Sequence, residues 1–329
     1  MPALFSPTLL IRDVSGVESE GSERPHFFQP KFARIENQAI SILVPYSGLI
    51  LSCIVCILVI LRLYVFEGFL FPRLYGHLYR NFSDETKRTF MNHHIGGMIK
   101  IILLIAGAYP WTHVLFVGNE DFDTPMAHHS KVTMGDLLLV LTQLFASMYV
   151  FELLIRVKLS PIAMAHHIGA IVIAEVAVAL SLEYKKQKDA TIEYMLCLVW
   201  GAFDVLAEFW PNLAIILYRV KKDNHYLLSQ VFFITAIITV LGTTAETVMI
   251  FVFLGSVWHR LSLDFKVATP ILHVVFMAAQ VHGSRILFSM YKRQKQALRE
   301  QEKRKESGAG KNSDKETASE PTMAAPETC

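Results

Sequence analysis

The chain has 329 residues, 53% of them hydrophobic and only 18% charged, with a mean hydropathy of +0.38. The apolar residues lie in long blocks between short charged loops, a pattern that excludes an ordinary soluble domain and also the short alternating segments of a membrane β-barrel. A formal net charge of +2 gives no basic excess of the kind that nucleic-acid binding needs, and no nucleic-acid partner is expected.

Residues 1–38 mix Pro, Gly, Ser, Glu and Arg without sustained periodicity and read as a disordered tail, without the apolar start of a cleaved signal peptide. The first span is expected near 40–66, so that 39–79 comprises this span and the start of a loop. Further spans are expected near 96–117, 134–157, 160–183, 191–218, 228–256 and 268–290, each long enough to cross about 30 Å of hydrocarbon. The fold class is therefore all-α, a polytopic bundle of about seven transmembrane helices. Lys158-Leu159-Ser160-Pro161 reads as a tight turn that makes the third and fourth spans antiparallel neighbours. The stretch "YKRQKQALREQEKRKES" from Tyr291 is basic and helical at first, and 293–329 as a whole is a basic, then disordered tail. Of the four cysteines, Cys53 and Cys56 have CxxC spacing inside an apolar block with no second pair, so neither a disulfide framework nor a zinc knuckle is expected.

Seven spans put the N-terminal tail and the loops near 118–133, 184–190 and 257–267 on one side, with ten Lys and Arg residues. The other side, with the C-terminal tail to Lys305, holds seventeen. The side richer in Lys and Arg is the cytosolic one. The N-terminus is thus expected in the lumen and the C-terminus in the cytosol.

Ionisable groups inside apolar spans need a partner, a water cavity or a job. The third span carries Glu152 and Arg156, four apart and acid first, together with Tyr149. They read either as a charge pair lining a polar cavity or as a structural pair with Arg156 snorkelling outward. The fourth span opens on His166 and His167 and holds Glu175. Adjacent helical residues point about 100° apart, so the two histidines are not expected to face one small ligand together. Asp204, Glu208 and Asn212 recur every four residues in the fifth span, one polar stripe aimed at the bundle interior. The sixth and seventh spans add Glu246, His273, Gln280, His282 and Arg285. Two more histidine pairs, His93-His94 and His128-His129, raise the question of a diiron site. The HxxxH and HxxHH spacings that such sites use are absent, and no metal is expected.

Several short motifs then fall in a familiar order. A basic, aromatic loop ("SDETKRTFMNHHIGG") precedes one span. A span ending in Tyr149-x-x-Glu152-Leu153 is followed by a tight turn and a span opening on His-His, and a later span carries "AEFWPNLAIILYR". This order resembles the TLC-domain family of multi-pass endoplasmic reticulum proteins over residues 80–292. In the ceramide synthases of that family, which acylate sphingoid bases from acyl-CoA, a Lag motif begins with His-His and ends in Leu-His-Asp-x-Ser-Asp. His166 and His167 match its start, but Ala202-Phe203-Asp204 stands at its end and Ala207 replaces the second Asp. "AEFWPNLAIILYR" is closer to the Glu-x-Ser-x-Pro-x-Asn pattern of the branch without ceramide synthase activity. The resemblance implies a membrane protein of the endoplasmic reticulum that acts on or senses membrane lipids, without a bound cofactor. Tyr149, Glu152, Arg156, Glu175, Glu208 and Asn212 are the candidate lipid-contacting residues. The alternative it implies is an N-acyltransferase with acyl-CoA as co-substrate, His166 or His167 as base and Asp204 orienting it. An unrelated seven-helix receptor or transporter is the third reading.

Overall fold

The computed structural model describes residues 31–316. The disorder expected of 1–30 and 317–329 falls outside them, whereas 31–38 and 306–316, expected in the same tails, are ordered: a short 3-10 helix spans Lys31–Ala33 and a helix runs to Glu316. Seven helical runs are long and apolar enough to cross a membrane: Val44–Arg80, Asp84–Leu115, Met134–Ile155, Pro161–Leu182, Ala190–Val220, His225–Val257 and Leu263–Lys305. Among the described residues there is no β-strand, only an isolated bridge between Pro125 and Thr133. The chain is an all-α, multi-pass membrane protein. Its polarity is inverted accordingly. Ile105, Tyr64 and Leu241 are 75%, 74% and 63% exposed around the outside, while Gln143, Ser147 and Lys100 are buried.

The first run consists of α1 (Ser47–Ile60), a π-helical stretch (Leu61–Leu70) and α2 (Phe71–Arg80). Gly76 breaks α2 with φ +50° and ψ −120°, a conformation that costs glycine little. Here the expectation of a loop after residue 66 is corrected. Phe66, Phe71 and Tyr79 pack with Phe90 of the next helix into an aromatic cluster that keeps the segment helical. The next helix, α3 (Asp84–Leu115), begins a dozen residues before the span expected at 96. Ser83 caps it, accepting from Thr86 N, and Asp84 and Glu85 fill the first turn, where the helix dipole favours acids. The stretch read as a basic loop is thus the cap and about the first four turns of α3.

α4 (Met134–Ile155) starts on a reciprocal cap, in which Thr133 accepts from Asp136 N and the Asp136 carboxylate accepts from Thr133 N. Arg156 ends it, and the turn to α5 (Pro161–Leu182) is as tight as expected, with Ser160 accepting from Ala163 N. α6 (Ala190–Val220), α7 (His225–Val257) and α8 (Leu263–Glu316) complete the bundle. α6 packs against α3, α5 and α7; α4 packs against α1, α3 and α5; and α8 lies on α7 and touches α5.

Residues 31–46 form a strap across one end of the bundle. Phe32 stacks on Phe253 with centroids 4.2 Å apart. Lys31 donates to His113 O at 2.7 Å and also to Glu120 O. Asn37 donates to Tyr184 O and Gln187 O, and Ser41 donates to Asp136 at 2.6 Å. Arg260 donates to Ile35 O at 2.7 Å. The strap and the loops after α3, α5 and α7 therefore share one end, the grouping that seven alternating spans require.

Candidate functional site

The polar stripe of α6 faces three other helices, one turn at a time. Asn212 Oδ1 is 2.7 Å from His93 Nδ1 on α3. Glu208 Oε2 accepts from Lys100 Nζ of α3 at 2.8 Å, a pair in which the Lys100 side chain is 3% exposed. The hydroxyl of Tyr149, on α4, lies between Asp204 Oδ2 and Glu208 Oε2 (3.0 Å to the latter) and donates to one at a time. His166, on α5, brings Nε2 to 3.3 Å from Asp204 Oδ1 and 3.4 Å from Glu208 Oε1. Two carboxylates, an ammonium, a phenol and an imidazole thus meet inside the bundle. Charges this far from water persist only when paired and hydrogen-bonded, and here Lys100 neutralises one carboxylate.

His167 points elsewhere on its own account. Its ring stacks on Tyr149 with centroids 4.5 Å apart and planes at 28°, while His166 meets the edge of Phe276 at 5.1 Å. Even so, both histidines border the same cavity of about 300 Å³. The rings diverge by helical geometry, but the cavity is wide enough to touch both. Glu152, Arg156, Glu208 and Asn212 also line it, with Ile162, Ile286, Leu287 and Met290 as apolar walls. Glu152 and Arg156 are ion-paired at 2.5 Å. Glu175 lies apart from the cluster, beside Gln143 of α4. Of the nine residues named from the sequence as catalytic or lipid-contacting candidates, all but Glu175 belong to the cluster or to its cavity.

Two further spaces adjoin. A small one of about 40 Å³ lies beyond His166 and Asp204, bounded by Trp200, Glu246, Phe276 and Gln280. Gln280 donates to Glu246 at 2.8 Å. Trp200 Nε1 donates to His273 Nδ1 at 3.3 Å, which leaves the proton of a neutral His273 on Nε2, facing Thr247 at 3.2 Å. Past Phe145, Cys197 and Gly201, which also border the small space, lies a cavity of about 270 Å³ among α3, α4 and α6. Leu103, Leu104, Leu138, Leu141 and Val205 make it almost wholly apolar.

The chain matches no family model, no characterised protein and no solved structure. The reading of the site therefore rests on its own geometry.

That geometry includes Lys100 and His93, to which the sequence reading gave no role. Lys100 falls inside the span expected at 96–117, and an intramembrane lysine implies an acidic partner by the same reasoning that flagged Asp204 and Glu208. His128 and His129 lie in the loop after α3, edge to face at 4.0 Å and far in sequence from every residue of the cluster.

Proposed function

We propose that this chain is a TLC-domain-like protein that binds and acts on or senses membrane lipids, and that the buried charge cluster contacts the lipid's polar head. The observation that carries this reading is the division of the interior. A cavity of about 300 Å³ presents Arg156, Glu152, both histidines and Glu208, and an apolar cavity of about 270 Å³ lies behind Phe145 and Gly201. An amphiphile needs such a pair of environments, apolar surface for the chain and a few placed polar groups for the head. The reading extends to residence in the endoplasmic reticulum, which the TLC resemblance implies, and to a luminal strap and a cytosolic C-terminus on the strength of the Lys and Arg asymmetry.

The test is lipid retention. Purified chain, analysed by native mass spectrometry, should carry a lipid that long-chain acyl-CoA or sphingoid base displaces. Gly201→Trp should lose most of it, because a side chain there enters open space where the apolar cavity meets the small space beside His166 and Asp204. Retention no greater than in an unrelated seven-helix protein would contradict the proposal.

A second reading has one observation in its favour. His166 Nε2 faces Asp204 across 3.3 Å, the arrangement of a base and the carboxylate that orients it. On that reading the chain transfers an acyl group from acyl-CoA to a sphingoid base. Turnover of labelled base in proteoliposomes, lost in His166→Ala, would support it. No turnover beside an active synthase would remove it.

A further inference from the structure

The geometry points to a divalent-metal site, best suited to zinc, formed by His166 Nε2, Asp204 Oδ1 and Glu208 Oε1. The residues come from α5 and from successive turns of α6, and one ligand atom from each lies within 4.8 Å of those of the other two. A tetrahedral ion with bonds of about 2.0–2.1 Å keeps its ligand atoms about 3.3–3.4 Å apart. The two imidazole-to-carboxylate separations are 3.3 and 3.4 Å.

Hydrogen bonding does not account for that closeness. His166 Nε2 and Asp204 Oδ1 meet as an ion pair but make no aligned hydrogen bond, although Asp204 is only 6% exposed and the His166 side chain 8%. The two atoms are near each other without being aligned, as ligand atoms are when they converge on a common point. A buried carboxylate oxygen without a hydrogen bond is costly, and a cation removes the cost.

The remaining carboxylate oxygens are already engaged. Oδ2 of Asp204 and Oε2 of Glu208 take the Tyr149 hydroxyl and the Lys100 ammonium. Metal-ligating carboxylates are oriented by such outer hydrogen bonds. His166 Nδ1 has no acceptor, so on the imidazole side this support is absent. Three protein ligands leave the fourth position open toward the cavity of about 300 Å³ that His166 and Glu208 line. A dication, two carboxylates and Lys100 sum to one positive charge, so the fourth ligand favoured is an anion. Histidine-box spacing could not have signalled this site, because two of its three donors are carboxylates.

Metal occupancy takes Nε2 and Asp204 out of the base-and-orienter pair, so it competes with the acyltransferase reading. It rests on donor geometry alone. Loss of lipid retention with metal retained would sink the lipid reading and leave this one standing.

The test uses the full chain purified without chelator into lipid nanodiscs. Elemental analysis should find about one zinc per chain, and cobalt substituted for it should give the intense visible absorption of a tetrahedral ion. Asp204→Asn and His166→Ala should bind at least tenfold more weakly. Tyr149→Phe should fall within the roughly 10–100-fold loss typical of an outer-shell partner. A His128→Ala/His129→Ala control should bind as the parent does. No tetrahedral cobalt signal from folded parent protein, or equal binding by Asp204→Asn, would overturn the inference. Should the variants aggregate, X-ray absorption on the zinc-loaded parent decides. Nitrogen and oxygen ligands at about 2.0 Å with imidazole scattering support the site, and sulfur ligands or a hydrated six-coordinate ion refute it.

Discussion

Lys100 makes the buried carboxylates tolerable. Its side chain is 3% exposed and bonds Glu208 at 2.8 Å, so removing it strands an anion inside the bundle. Lys100→Met should destabilise the protein by about 3–5 kcal/mol, and adding Glu208→Gln should recover a good part of the loss, both read by thermal unfolding in detergent. The partner stands 108 residues away in the chain, which is why the sequence exposed the anomaly of each group and not their pairing. A second residue-scale prediction concerns the strap. Glu120 is half-buried, and its carboxyl is held below the ordinary 4.5, first by the backbone N–H of its own residue and then by the His113 imidazole. A carboxylate favoured in the fold gives stability that is present above 4.5 and lost as pH falls through the lower folded value. Hydrogen exchange in residues 31–46 should therefore rise on acidification below that point, and Glu120→Gln should blunt the rise. Exchange in the strap indifferent to pH would show that Glu120 plays no part in holding it.

Among the elements, α6 was the most legible. An acid, an acid and an amide four residues apart can only form one stripe on a helix, and the helix puts that stripe against α3, α4 and α5. The early start of α3 was less legible, because Lys87, Arg88, His93 and His94 mask the apolar period. The signal present was local: Ser83 as cap and two acids behind it. Where the strap meets α4, a small residue is required. A Cβ on Gly135 would collide with the backbone oxygens of Ile40 and Phe122. Gly135→Ala should cost about 1–3 kcal/mol by overpacking, and Thr133→Ala about 1 kcal/mol by loss of the cap. Of the two, only Gly135→Ala should also expose residues 31–46 to protease. Equal sensitivity in both variants would mean that the strap is held by the cap and not by the close approach.

At the scale of the whole molecule, hydropathy blocks set the number of spans because each must bridge a fixed thickness, and the seven helical runs follow from that constraint. What no block pattern could supply is which helices touch. The cluster draws Tyr149 from α4, His166 from α5, Lys100 from α3 and two acids from α6. Orientation is testable separately. Asn81 of Asn81-Phe82-Ser83 is exposed at the end of α2, opposite the strap. It should remain unglycosylated in cells, while a sequon placed in the loop at 118–133 should acquire glycan. Glycan on Asn81 would invert the proposed topology.

The central claim is that an amphiphile occupies the interior beside the charge cluster. The most direct test is photocrosslinking in membranes with a long-chain acyl probe bearing a diazirine, followed by mapping of the labelled peptides. The account predicts adducts on the inward faces of α4 and α6, near Phe145 and Gly201, competed by unlabelled lipid and lost in Gly201→Trp. Adducts confined to outward residues such as Ile105, Val172 and Leu241, unaffected by competitor, would mean that the bundle merely sits in lipid and that its interior does not bind one.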